Sequence, residues 1–359
     1  MGIIDRAALL RIAHLAPHFD NSGNGVVNVA IDLACMQARS GNDVAFIGLQ
    51  GSFAEVLTRE KVAVSSIPLS SIRDTFASFA ALRKKLKEFD PDIVHAHMIP
   101  GALFGFVLSL RSHFKLITTV HNSERFGSEL MSLGDIVICV SDHLAREMQI
   151  RGIPSKKTRV VLNGPLDSPR MSASKLRVPL RHPAIITIAA LSRFKGIGDL
   201  ISAFALLSAS PYEPYLYILG EGPDRAEFER RAKGYSCAHR IIFCGSISDP
   251  TPYLQSADIF VLASHREGFG LVLAEARKAG CAIVATEVGG IPEVLEGGLA
   301  GILVQPKSPA NLADALKQLV DNPTLLANWR EKASSNLDWL SCRRNAEETV
   351  RVYAEALKL

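Results

Sequence analysis

The sequence predicts a tandem α/β protein with one doubly wound parallel sheet in each half. Short apolar runs bounded by polar turns alternate with helix-length stretches through the first half. The alternation breaks at a polar, proline-bearing stretch over 168–175 and then restarts. At 359 residues and 48% hydrophobic, the chain can bury two cores. Continuous apolar strands are buried on both faces, which is the pattern of parallel pairing with helical crossovers. The expected division is residues 1–168 against 169–341, with 168–175 as the linker.

In chain order, the first strand is expected at 10–16. A polar loop holding Ser22, Gly23, Asn24 and Gly25 leads to a helix over 26–39, stopped by Ser40 and Gly41. Strands follow at 43–48, 92–96, 115–120 and 135–140. After the linker they are expected at 184–190, 215–219, 240–244, 258–263, 282–286 and 301–304, with helices between. Ligands of such sheets sit at the strands' C-terminal ends. Over 76–89, Phe79, Leu82, Leu86 and Phe89 recur at helical spacing among Arg83, Lys84, Lys85 and Lys87. This reads as a helix packed on its domain, with weak attachment to an anionic membrane as the alternative. The segment 342–359 closes the chain as a helix with Ala346, Val350, Tyr353, Ala354 and Leu357 on one face.

Composition narrows the class. A formal net charge of +4 is slight for this length and argues against a nucleic-acid partner. The six cysteines are scattered, with no C-x-x-C pair, which points to reduced thiols and no zinc site. No apolar run reaches the ~18 residues a membrane span needs. The longest, over 98–110, contains Pro100, Gly101 and Gly105. Residues 1–6 lack the basic start of a signal peptide. The expected location is cytoplasmic, free or peripheral at the inner face of the cell membrane.

The chemistry concentrates after the strand at 258–263. Gly268 and Gly270 leave the backbone bare beside Phe269, so N–H groups can approach a ligand. The helix opening at Leu271 turns its positive end toward the loop, a site for phosphate. Glu267 precedes it and Glu275 lies just over one turn inside it, so hydroxyl-accepting carboxylates flank an anion pocket. Arg193 and Lys195 follow another strand, where two cations suit a diphosphate. The loop at Gly25 also precedes a helix; a tight turn and an anion site both fit it. His95 and His97 face one side of a strand end, where a metal is conceivable. No third ligand with sensible spacing appears, so the pair is expected to line a cleft. Asp90 and Asp92 mimic a metal-binding D-x-D but sit at a strand's start, the wrong end for a ligand. His121 stands at the C-terminal end of its strand, where site residues occur.

The eight-residue step from Glu267 to Glu275 around Gly268-Phe269-Gly270 resembles the E-x7-E signature of retaining glycosyltransferases of family 4. The resemblance extends along the chain through the Gly25 loop, His95 and His97, His121, Asn163-Gly164 with Asp167, and Lys195-Gly196. It continues through Gly222-Pro223, the 243–247 segment and Val288-Gly289-Gly290 with Pro292-Glu293. It implies a GT-B fold: two Rossmann-like domains facing a cleft, with the helix at 342–359 crossing back to the N-terminal domain. The donor would be a nucleotide-diphosphate sugar, held by Gly25, Arg193, Lys195, Gly222, Ile247, Gly268, Phe269, Gly270, Leu271 and Glu275. Glu267 and His121 would act at the donor sugar, with no metal or other cofactor. One departure stands out: spacing back from Lys195 puts Ala190 where the family has Arg, which leaves Arg193 to supply that charge. The acceptor expected is a lipid-linked or oligosaccharide hydroxyl in bacterial surface-polysaccharide assembly. The competing readings are a non-catalytic nucleotide-sugar-binding subunit and a sugar-nucleotide epimerase of the same fold.

Overall fold

The computed structural model describes residues 9–21, 23–69, 75–122, 127–171, 177–207 and 211–359. The N-terminal stretch 1–6, Ser22 of the early loop, and 172–175 of the expected linker therefore lie outside the described residues. The chain divides into two compact units, Met1–Arg170 with Ser341–Leu359, and Met171–Leu340.

The first unit carries β1 (Arg11–His18), β2 (Asp43–Leu49), β3 (Ala63–Ser66), β4 (Ile93–Ala96), β5 (Lys115–Val120), β6 (Ile136–Cys139) and β7 (Thr158–Val160). They form one sheet in the order β3-β2-β1-β4-β5-β6-β7, every pair parallel. Two strands are absent from the sequence reading. β3 is an edge strand with little burial, and β7 spans three residues, so neither offers the apolar run that marks a covered strand. The second unit carries β8 (Ala184–Ile188), β9 (Tyr215–Leu219), β10 (Ile241–Gly245), β11 (Ile259–Leu262), β12 (Ala282–Thr286) and β13 (Ile302–Val304). Their order, β10-β9-β8-β11-β12-β13, is again wholly parallel. These two doubly wound sheets make the GT-B pair of domains.

The terminal helix Cys342–Ala356 belongs to the first unit. Val352, Tyr353 and Ala356 pack on Ile12, Ile93, Ile117 and Ile138 of the sheet, while Cys342 and Ala346 meet Leu33 and Met36 of the helix Gly25–Arg39. The beginning of the expected linker is likewise docked. Ser168 Oγ donates to Asp32 Oδ1 at 2.6 Å, and the Arg170 guanidinium grips both Asp32 oxygens at 2.8 Å. Helix Thr75–Phe89 turns Leu82 and Leu86 into the core, and Phe79 meets Phe104 edge-on. Its apolar stripe is thus covered, and Phe76 is left exposed beside the basic face. No helix among the described residues is long and apolar enough to cross a membrane. None of the six cysteines is in a disulfide, and burial pushes the thiols of Cys35, Cys139, Cys281 and Cys342 up to about 12.

In the second unit one cation knits the C-terminal helices together. Arg277, on helix Leu271–Ala279, is fully buried and donates to the carbonyls of Ala333, Val294 and Ser335 at 2.9, 2.6 and 2.8 Å. It also pairs with Glu296 at 2.6 Å. Arg277→Leu would leave three carbonyls without this donor and the Glu296 carboxylate with only Asn336 and Trp339, a loss of about 3–5 kcal/mol. Both tryptophans, Trp329 and Trp339, lie in this unit. Urea unfolding followed by tryptophan fluorescence should show its midpoint falling sharply, and an unchanged midpoint would contradict this role for Arg277.

Candidate functional site

Each sheet reverses its winding once. β1 lies between β2 and β4, and β8 lies between β9 and β11. At such a switch the loops leaving the two adjacent strands part, which opens a crevice at their C-terminal ends. The chemistry-bearing residues fall at these two switches.

At the second switch, the loop after β8 runs into a 3-10 turn at Arg193–Lys195, and the loop after β11 runs into the helix Leu271–Ala279. The two loops meet through an ion pair. Lys195 Nζ donates to Glu267 Oε2 at 2.8 Å, with the side chains 27% and 16% exposed, and Ser264 Oγ donates to the same oxygen at 3.2 Å. Two glycines permit the approach. A Cβ on Gly196 would lie 1.8 Å from the Ala263 carbonyl oxygen, and one on Gly289 would lie 1.7 Å from that of Glu267. Both also sit at positive φ, 63° and 56°. Further bonds tie the loops: His265 N to Phe194 O at 2.8 Å, and His265 Nε2 with Asp199 Oδ2 at 2.7 Å. The geometry of the pair is therefore set by the backbone.

Around the pair, Phe269 is buried and anchors the loop, and Gly270 caps the helix at φ 90° without any side-chain cap bond. That helix end leaves its first N–H groups to a ligand or solvent. Gly268, Leu271 and Glu275 are half-buried around it. Arg193 is turned elsewhere: its guanidinium lies 3.2 Å from Glu227 and 3.9 Å from Asp224, largely exposed. Ala190 is exposed and uncharged. Gly222 sits in a pairing of loops, with Leu191 N donating to Glu221 O and Asp224 N to Leu191 O. Ile247 is half-buried just past β10.

At the first switch the structure supplies a third imidazole beside His95 and His97. His14 of β1 stands in register with His95 of β4, and ligand atoms of the three lie within 4.8 Å of one another. Sequence spacing could not show this, although a histidine inside an apolar strand was the available signal. The nitrogens are already engaged. His14 Nε2 bonds Gln37 Oε1 at 2.8 Å and His14 Nδ1 bonds His97 Nε2 at 3.0 Å. His95 Nδ1 bonds the Tyr353 hydroxyl and His95 Nε2 the Thr119 hydroxyl, both at 2.6 Å. A metal ion here would have to displace these bonds. His95 is buried in the core, whereas His97 reaches a small cavity with His121, Thr119, Val26 and Met131. His121 Nε2 is 3.3 Å from His97 Nδ1.

Near this cavity, Gly25 begins its helix behind Asn24. Asn24 is extended at φ −80° and caps the helix, its Oδ1 accepting from Val26 N at 3.0 Å, while the positive φ falls at Gly23. The cap takes one of the amides an anion would use.

Comparison with known proteins assigns both halves. The family described as "Glycosyl transferases group 1" matches residues 172–336, and "Glycosyltransferase Family 4" matches residues 23–165. The chain is 26% identical to an N-acetyl-alpha-D-glucosaminyl L-malate synthase of Bacillus anthracis, over 88% of this chain and 89% of that one. A solved Anabaena structure in complex with UDP and glucose superposes with a TM-score of 0.80 at 20% identity, covering 96% of this chain and 99% of that one. A lipopolysaccharide outer core galactosyltransferase superposes with a TM-score of 0.69 at 19% identity, over 94% and 99%.

Burial pushes the His14 imidazole down to about 4 and that of His121 to about 3. It also holds His95 and His97 well below their ordinary 6.5, with neighbouring imidazoles adding to the effect. Unfolding lets all four take up protons that the folded state refuses, so the unfolded state binds more protons below pH about 6.5. Stability of the first unit should therefore fall as pH drops from about 6.5 toward 5, before most carboxylates titrate. Denaturation midpoints read by hydrogen exchange in its strands would check this; a flat profile from pH 7.5 to 5 would contradict it.

Proposed function

From the premise that the chain belongs to the group 1, family 4 glycosyltransferases, we propose that it is a retaining, metal-independent enzyme acting from a nucleoside-diphosphate sugar on a hydroxyl acceptor. Glycosyl transfer from a sugar nucleotide follows from the family. The finer reading rests on the Lys195–Glu267 pair held beside the uncapped end of helix Leu271–Ala279.

A departing nucleoside diphosphate gains negative charge as the glycosidic bond breaks, and fixed positive groups aimed at it lower the barrier. Lys195 and the amides around Gly270 and Leu271 would supply that charge in place of a metal ion. Arg193, committed to Glu227 and Asp224, contributes less. Glu267, with Gly268 and Phe269, would orient the donor sugar, and Glu275 would accept from the ribose hydroxyls. Backbone near Gly222 and Ile247 would border the nucleotide. In the first unit, the amides at Gly25 suit an anion, and His121 offers a neutral imidazole to a sugar hydroxyl. The acceptor hydroxyl would attack from the leaving-group face and pass its proton to the leaving phosphate.

The acceptor class proposed is a lipid-linked or oligosaccharide hydroxyl of bacterial surface polysaccharide, met on the cytoplasmic face of the membrane. The likeness in fold to a lipopolysaccharide galactosyltransferase accords with that class. Weak membrane contact would use the exposed Phe76 and the charges of Arg83, Lys84, Lys85 and Lys87. Replacing those four charges with Gln should abolish sedimentation with anionic liposomes, and undiminished sedimentation removes the contact from the proposal.

The function is tested by thermal shift with UDP-, GDP- and ADP-sugars without metal, followed by donor turnover. One donor should raise the melting temperature, since a ligand bound only by the folded state stabilises it, and Lys195→Ala should lose that rise. Glu267→Gln should lower turnover on the order of a hundredfold with donor binding largely kept. Binding without turnover in the unmodified chain would instead indicate a non-catalytic nucleotide-sugar-binding subunit.

A further inference from the structure

Four imidazoles of the first unit, those of His14, His95, His97 and His121, belong to one hydrogen-bond path with two branches, and both begin at Gln37. The carboxamide oxygen accepts from His14 Nε2–H at 2.8 Å, and the carboxamide nitrogen donates to the Tyr353 hydroxyl at 3.2 Å. On the first branch, His14 has its proton on Nε2, so Nδ1 accepts from His97 Nε2–H at 3.0 Å. His97 Nδ1 then accepts from His121 Nε2–H at 3.3 Å, which leaves His121 Nδ1 as a bare acceptor. On the second branch, the Tyr353 hydroxyl, which accepts from Gln37, donates to His95 Nδ1 at 2.6 Å. His95 Nε2–H donates to Thr119 Oγ1 at 2.6 Å, which leaves the Thr119 proton for another acceptor. Both branches end at the same cavity, of about 40 Å³, which His121 and Thr119 line two residues apart at the end of β5. That is room for a few water-sized groups at most.

We propose that Gln37 and Tyr353 are positioning residues that hold His121 Nδ1 as an acceptor and Thr119 Oγ1 as a donor, so that a hydroxyl entering the cavity meets one of each. A hydroxyl matches such a wall because it donates and accepts at once. Turning the Gln37 amide over reverses every bond, moves all four protons from Nε2 to Nδ1 and exchanges the roles of His121 and Thr119. A mixed state strands a buried donor or acceptor, at a cost of about 1–3 kcal/mol. The two wall groups therefore keep opposite polarity in either state. Reading the hydroxyl as a sugar's rests on the proposed glycosyl transfer; the coupling of the imidazoles does not.

Imidazole ¹⁵N–¹H correlation spectra of the full chain, labelled at histidine, read the proton position at each ring directly. All four rings should carry it on the same nitrogen, Nε2. In Gln37→Met, His14, His97 and His121 should lose that agreement with His95, and His121 should show both tautomers. Tyr353→Phe, which removes one hydroxyl and keeps the ring in the core, should separate His95 from the other three if the first variant folds poorly. Either variant should lower donor turnover roughly tenfold, the equivalent of one misdirected hydrogen bond. An unaltered single tautomer at His121 in both variants, or mixed tautomers among the four rings of the unmodified chain, overturns the proposal. Coupled tautomers with no transfer to any acceptor would leave the network standing and overturn the glycosyl-transfer reading of the hydroxyl.

Discussion

Parallel pairing of one strand with two neighbours wound in opposite senses is the constraint behind both candidate sites. Parallel strands need crossovers, and right-handed crossovers send the helices flanking β1 and β8 to opposite faces of their sheets. Away from the sheet edges the strands themselves are covered on both sides, which is why Ile283, Val284, Ile185 and Ile186 are wholly buried. At the second switch the loops part and leave Lys195 and Glu267 partly exposed, whereas His14 and His95 at the first are buried within the sheet. Lys195 and Glu267 leave adjacent strands β8 and β11, and His14 and His95 occupy paired positions of β1 and β4.

Burying three imidazoles and half-burying a fourth is tolerable only if they stay neutral and bonded. Desolvation secures the first condition, as the low values at His14 and His121 indicate. The second requires a starting point that gives to one branch and accepts from the other. A carboxamide does both from one plane, whereas an ionised carboxylate only accepts and an apolar side chain does neither. Tyr353 relays the second branch while its ring packs against Ile93 and Ile117. The terminal helix thus covers the sheet and completes the polar path at once.

What was legible in the sequence was what repeats locally. The covered strands showed as apolar runs, and β5, β9 and β12 fall on their expected residues. The short strands β3 and β7 did not, because an edge or a three-residue pairing leaves no pattern. The loop at Glu267 and Gly270 was visible because bare backbone, carboxylates and a helix start are neighbours in sequence. Gln37 and Tyr353 were not: 316 residues separate them, and each reads as an ordinary helix residue until the terminal helix is placed. Arg193 and Lys195 looked equivalent as a basic pair. A 3-10 turn sends their side chains different ways, one to exposed carboxylates and one to Glu267.

That divergence bears on how a single lysine could serve where the family's pattern has a second cation. A partly exposed ion pair is worth at most about 1 kcal/mol, so Glu267 holds Lys195 only lightly. A diphosphate brings more charge and more acceptor atoms than one carboxylate, and would draw the ammonium away without a large penalty. Until then the pair keeps the flexible lysine chain extended in one place, which lowers the entropy lost on binding. Gly196 and Gly289 strengthen the effect, since their backbone contacts fix both loops before any ligand arrives. The uncapped helix end beside Gly270 adds positive potential that needs no side chain at the position of Ala190. Preorganised backbone, rather than a guanidinium beside the lysine, is then what the anion would meet.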